Sequence, residues 1–163
     1  MRPRRGDPAP DFSCQAGDGG TIRLADFRGR KLVLYFYPMD DTPGCTAQAC
    51  SLRDANRDIA ASGAAILGVS AQGEDSHRRF AAKHRLNFPL LADTDRAVAR
   101  AYGAAGSGLL GVARTLTGLN ERVTFIIDEN GKIADVIDDP DCRNHGDEVL
   151  KRLQPAGPPG HAA

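Results

Sequence analysis

An α/β sandwich with a mixed central sheet is the fold class this sequence predicts, and three observations predict it. Short apolar runs rich in β-branched and aromatic residues, such as 31–37 and 123–127, alternate with longer amphipathic stretches that read as helices. Glycine-rich punctuation marks two hairpins, one near each end of the sequence. The chain has 163 residues, enough for one domain with a substantial core, and a second folded domain is not expected.

The elements follow in order. Residues 11–24 are interrupted by Gly17-Asp18-Gly19-Gly20, which predicts an N-terminal β-hairpin of two short strands. The run 31–37 reads as a buried strand that ends at Pro38. Thr42 suits an N-cap and Pro43 the first helical position, so a helix is expected over 42–63, with Leu52 and Ile59 facing inward and Gly63 closing it. A strand over 64–69, a helix over 74–84, a short strand over 88–91 and a helix over 94–102 come next. Residues 103–120 are rich in glycine and lack periodicity, so they read as a long loop. Strands over 123–127 and 132–137 flank Asp128-Glu129-Asn130-Gly131, and a helix is expected over 145–153. Six of the ten prolines lie in the two ends, which divides the chain into a flexible 1–8, a folded domain over 9–154 and a disordered tail over 155–163.

Composition narrows the function classes. The 21 basic and 21 acidic residues balance, so bulk charge points to neither nucleic acid nor membrane as a partner. No apolar stretch approaches the roughly 20 residues that cross a bilayer, and none follows the first arginines as a secretory signal requires. A soluble cytoplasmic protein is expected, and in that compartment four cysteines form transient functional disulfides rather than a static framework. The four histidines are scattered without metal spacing, and neither a metal nor an organic cofactor is expected.

The chemistry is expected at Cys45 and Cys50. Cys45 falls third in the predicted helix, where backbone N–H groups lack intrahelical acceptors and the macrodipole favours negative charge. Such surroundings favour the thiolate, which is the nucleophile, and place a second thiol close by in the chain. Asp40 and Asp41 are expected to solvate the turn before the helix.

Pro38, Thr42 and Cys45 fit the pattern P-x-x-x-T-x-x-C, and the chain resembles the peroxiredoxins, in particular the bacterioferritin-comigratory or Q subfamily. The resemblance extends over nearly the whole chain, through Ala9-Pro10-Asp11-Phe12, Tyr35-Phe36-Tyr37-Pro38, Gly68-Val69-Ser70, Phe88-Pro89-Leu90-Leu91 and the run from Arg122 to Asp128. It implies a thioredoxin-fold thiol peroxidase acting on hydrogen peroxide and organic hydroperoxides, often monomeric, with thioredoxin or a glutaredoxin as reductant. It also implies that Cys45 is the peroxidatic cysteine, Cys50 the resolving one, and Pro38, Thr42 and Arg122 the groups around the peroxide. Position 39, frequently lysine in that subfamily, is Met39 here, and Cys14 and Cys142 are additional thiols. Both are expected to be structural or incidental, Cys142 being the better placed as an alternative resolver because it follows Asp138-Asp139-Pro140-Asp141.

The residue chemistry agrees with these roles. Attack on an O–O bond expels hydroxide or alkoxide, so the site must stabilise developing negative charge. Arg122 offers a permanently charged fork of donors, the Thr42 hydroxyl can donate or accept, and Pro38 adds no competing N–H. Two other readings stand beside this one. A thiol-disulfide oxidoreductase would use a Cys-x-x-Cys pair, which the chain lacks. A redox sensor would oxidise once and pass its disulfide to a partner protein instead of turning over.

Overall fold

A computed structural model describes residues 2–106 and 119–153 of the chain. Most of the expected 103–120 loop, and the whole expected tail over 155–163, lie outside the described residues. The N-terminal hairpin forms from β1 (Ser13–Gln15) and β2 (Thr21–Arg23), and a 3₁₀ turn over Leu24–Phe27 leads into the sheet. The rest runs β3 (Lys31–Phe36), α1 (Pro43–Ala61), β4 (Ala64–Ser70), α2 (Glu74–His84), β5 (Leu90–Ala92), α3 (Ala97–Ala101), β6 (Val123–Ile127), β7 (Ile133–Ile137) and α4 (His145–Leu153). The strand order is β5-β4-β3-β6-β7, with β3, β4 and β5 parallel and β6 and β7 antiparallel to their neighbours. This is the mixed sheet of the thioredoxin fold that the resemblance implies.

β3 lies at the centre of this sheet and is buried on both faces, as its unbroken apolar run demands. Its side chains alternate with a period of two. Leu32, Leu34 and Phe36 join Phe12, Tyr102 and Phe125 on one face, while Val33, Tyr35 and Tyr37 join Leu52, Ile59, Phe80 and Val149 on the other. The second face is where α1, α2 and α4 pack, and it contains Cys45. Among the described residues no helix is long and apolar enough to cross a membrane.

Residues 2–8, expected to form a flexible end, lie along β7 in this structure. Gly6 N donates to Ile133 O at 2.8 Å, Ile133 N donates to Asp7 O at 2.8 Å, and Arg2 pairs with Glu121 and Asp138. α3 is shorter than the 94–102 expected. The reason is tertiary, because the buried Asp93 carboxylate accepts from Val98 N and Ala99 N, and Arg96 takes a left-handed conformation at φ 59°. The helix therefore starts only beyond Arg96.

α4 braces the helix that carries Cys45. Gly146 N donates to Ser51 Oγ at 2.8 Å, and a β-carbon at Gly146 would lie 2.5 Å from Ser51 O and 2.7 Å from Ala55 Cβ. Only hydrogen fits between the two backbones. Gly146→Ala is expected to push α4 off α1 and cost about 1–3 kcal/mol, read as a lower denaturant midpoint at unchanged slope.

Candidate active site

The connection from β3 to α1 sets the site. Pro38 follows the strand half-buried, Asp40 is buried, and Asp41 turns the chain with a positive φ of 62°. Asp40 does not solvate the turn as expected. Its carboxylate accepts from Tyr37 Oη at 2.6 Å, Ser76 Oγ at 2.7 Å and His77 Nδ1 at 2.7 Å. Burial works against its charge, but the bonds from His77, Tyr37 and Ser76 outweigh burial and hold the carboxyl below its usual range. The network ties the turn before α1 to α2, and His77 Nε2 in turn donates to Leu91 O in β5 at 2.9 Å. Asp41 behaves as expected for the surface, facing Lys83 and His84.

Thr42 is the N-cap by backbone, extended at φ −88° and ψ 157°, with its carbonyl accepting from Thr46 N at 2.8 Å. Its side chain makes no cap bond and donates instead to Met39 O at 3.3 Å. Pro43 occupies the first helical position and Cys45 the third, in the turn whose N–H groups have no helical acceptors. Cys45 is 1% exposed. Arg122, 77 residues away in sequence, reaches in from the start of β6 and places Nη1 3.5 Å from Cys45 Sγ. A cation therefore meets a helix N-terminus at the sulfur.

Gln48 belongs to the same site and was not among the sequence candidates. It is fully buried, its Oε1 accepts from Arg122 Nη1 at 2.7 Å, and its Nε2 has no hydrogen-bond partner among the described residues. Helical spacing was the available signal, since Gln48 lies three residues from Cys45 and thus on the same face. Cys50, partly buried, is on α1 as well. Five residues of regular helix separate the two cysteines by a rise of about 7.5 Å with faces turned about 140° apart.

A second network supports the Arg122 side. His145, buried at the start of α4, has Nε2 2.8 Å from Thr124 Oγ1 and Nδ1 2.9 Å from Glu148 Oε1. Burial pushes its imidazole below the ordinary range, against the pull of Glu148 and with a further push from Arg122. The ring is then neutral at neutral pH, donating through Nδ1 to the carboxylate and accepting through Nε2 from the threonine. Below about pH 6.5 the unfolded chain binds a proton that the folded one resists, so the unfolded state is favoured as pH falls. The unfolding free energy is expected to decline from about pH 6.5 downward, and His145→Gln should remove part of that slope in denaturant melts taken across this range.

Among the described residues, no three His, Cys, Asp or Glu side chains are grouped to hold a metal ion. The site brings together a buried thiol, a guanidinium and an amide. The fold is that of a peroxiredoxin, and the AhpC/TSA family matches residues 5–136, so the chain belongs to that family. Within it, the chain is similar to peroxiredoxin Bcp of Escherichia coli strain K12, 42% identical over 151 residues that cover 93% of this chain and 96% of the relative. Among solved structures it is similar to the peroxidoxin BcpB of Mycobacterium tuberculosis, with a TM-score of 0.81 at 34% identity over 93% of this chain and 97% of the other. The bacterioferritin comigratory protein of Xanthomonas campestris, studied for alkyl peroxide reduction in trapped intermediate and ligand complexes, aligns with a TM-score of 0.78 at 30% identity over 93% and 92% of the two chains. The chain is a thiol peroxidase of the Bcp and peroxiredoxin Q kind.

Proposed function

We propose that Cys45 is the peroxidatic cysteine and Cys50 the resolving one, in a monomeric cytoplasmic enzyme that reduces hydrogen peroxide and alkyl hydroperoxides and is recycled by thioredoxin or a glutaredoxin. The observation that carries this reading is Arg122 Nη1 at 3.5 Å from the sulfur of a buried cysteine in the first turn of α1. The Cys45 thiolate attacks the nearer peroxide oxygen, the O–O bond breaks, and the departing hydroxide or alkoxide leaves as water or alcohol once protonated. Arg122 balances the charge that moves along that axis, and Gln48 Nε2 has a free proton to give an oxygen there. Thr42 and Pro38 close the near side of the turn, Thr42 by offering its hydroxyl once the weak bond to Met39 O is given up.

Cys45 is left as a sulfenic acid. The Cys50 thiolate then attacks its sulfur, forming an S–S bond and releasing hydroxide that becomes water. A disulfide needs Cα atoms within about 7 Å, so the first turns of α1 must unwind for this step. Thioredoxin exchange afterwards restores both thiols. The test is hydroperoxide turnover coupled to thioredoxin and its reductase, with Cys50→Ser beside the parent protein. Sustained turnover that is slower in Cys50→Ser supports the reading. One equivalent of peroxide consumed without turnover, by a protein that then passes its disulfide to another protein, would establish a redox sensor instead.

A further inference from the structure

Cys142 lies on the 138–144 turn between β7 and α4, and its side chain faces the first turn of α1. A β-carbon at Gly44 would lie 3.8 Å from Cys142 Sγ and 3.2 Å from Arg122 Nη2, while the other terminal nitrogen of the same guanidinium is 3.5 Å from Cys45 Sγ. The Cys142 thiol and the Arg122 guanidinium thus converge on the residue that immediately precedes Cys45. A second observation concerns the same guanidinium. Gln48, fully buried, is anchored through Oε1 on Arg122 and presents an unpartnered Nε2.

Hydrogen bonds flank Cys142 in the turn. Asp141 accepts from Arg143 N at 3.2 Å and from Asn144 Nδ2 at 2.9 Å, and its own N–H donates to Glu148 Oε1 at 2.8 Å. The bond to Glu148 ties Asp141 to α4, and the other two hold Arg143 and Asn144 to Asp141. Burial pushes the Cys142 thiol up, the Arg122 charge pulls it down, and the Cys45 and Asp141 charges add to the upward push. Cys142 therefore faces the guanidinium of the site.

We propose that Cys142 is a second resolving thiol, able to capture the Cys45 sulfenic acid while Cys50 stays in α1. The proposal rests on the reading of Cys45 as the peroxidatic residue. In the step, the Cys142 sulfur, having lost its proton, attacks the Cys45 sulfur. An S–S bond forms, the S–O bond of the sulfenic acid breaks, and the hydroxide released takes up the proton to leave as water. Cys142 is oxidised from thiol to disulfide, the sulfenic sulfur is reduced to disulfide, and the oxidising equivalents come from the hydroperoxide already consumed. The first turn of α1 and the 138–144 turn must close on each other, a movement of two element ends, whereas the Cys50 route opens the interior of a helix.

The experiment compares Cys50→Ser with the double variant Cys50→Ser, Cys142→Ser. Each reduced protein is kept dilute, given one equivalent of hydrogen peroxide in the presence of dimedone, and mapped by mass spectrometry without reduction. Cys50→Ser is expected to carry an intramolecular Cys45–Cys142 crosslink and to take up less than about a tenth of the dimedone found at Cys45 in the double variant. Equal dimedone uptake in the two proteins, or a crosslink that joins two chains, would overturn the Cys142 role and leave the Cys45 assignment standing. A double variant with Cys45 unoxidised would overturn both.

Discussion

Cys45→Ser is expected to leave a folded protein whose kcat/KM for hydroperoxide is at least about a thousandfold lower. The two side chains differ by one atom, and Cys45 is buried against Ala49 and the β3 aromatics, so the fold loses little. The chemistry loses its nucleophile, since a serine hydroxyl at neutral pH is not ionised and the nearby charge of Arg122 cannot make it so. Rates of hydroperoxide loss with a small dithiol as reductant, taken beside thermal melts, separate the two effects. Retention of more than about a tenth of the activity would place the reaction at another thiol.

Arg122→Met is expected to lower kcat/KM by about 100- to 1,000-fold, the range found when a preorganised group that stabilises transition-state charge is removed. One nitrogen of Arg122 faces both Cys45 Sγ and Gln48 Oε1, and the other faces Gly44. A lysine brings one ammonium to this place and no fork, so Arg122→Lys should recover only about a tenfold part of the loss. Arg122→Met also leaves Gln48 Oε1 buried and unpaired, at a cost to stability of about 1–3 kcal/mol. Stopped-flow rates over a series of peroxide concentrations check the first effect and denaturant melts the second.

The two networks behind the site explain why it holds its shape. Asp40 joins the turn before α1 to α2 through Tyr37, Ser76 and His77, and His145 joins β6 to α4 through Thr124 and Glu148. One side positions the thiol and the other positions the guanidinium. Neither network was legible in the sequence. Asp40 next to Asp41 reads as a solvated turn, and scattered histidines carry no periodic signal. Their partners lie 20 or more residues away, except for Tyr37 and Glu148.

What was legible follows local physics. The central strands appear as β-branched and aromatic runs, the second hairpin as Asn130-Gly131, and α1 as Thr42 and Pro43 followed by an inward stripe. The start of α3 was not legible, because a buried aspartate and a left-handed arginine decide it. Within the site, the position of Cys45 in the first turn could be read from helix signals alone. That Arg122 faces it came only through the family resemblance, since nothing local in Glu121-Arg122-Val123 distinguishes an arginine that faces a buried thiol from a surface one. Gln48 sits among alanines, where a polar side chain reads as facing solvent, yet it is buried and bonded to Arg122.

The measurement that bears most directly on the account is peptide mapping of the fully reduced protein after one equivalent of hydrogen peroxide, with dimedone present to hold any sulfenic acid. The account predicts that every oxidised product includes Cys45, either as the adduct or as one half of each disulfide. Oxidation at Cys14, Cys50 or Cys142 with Cys45 unmodified would contradict it.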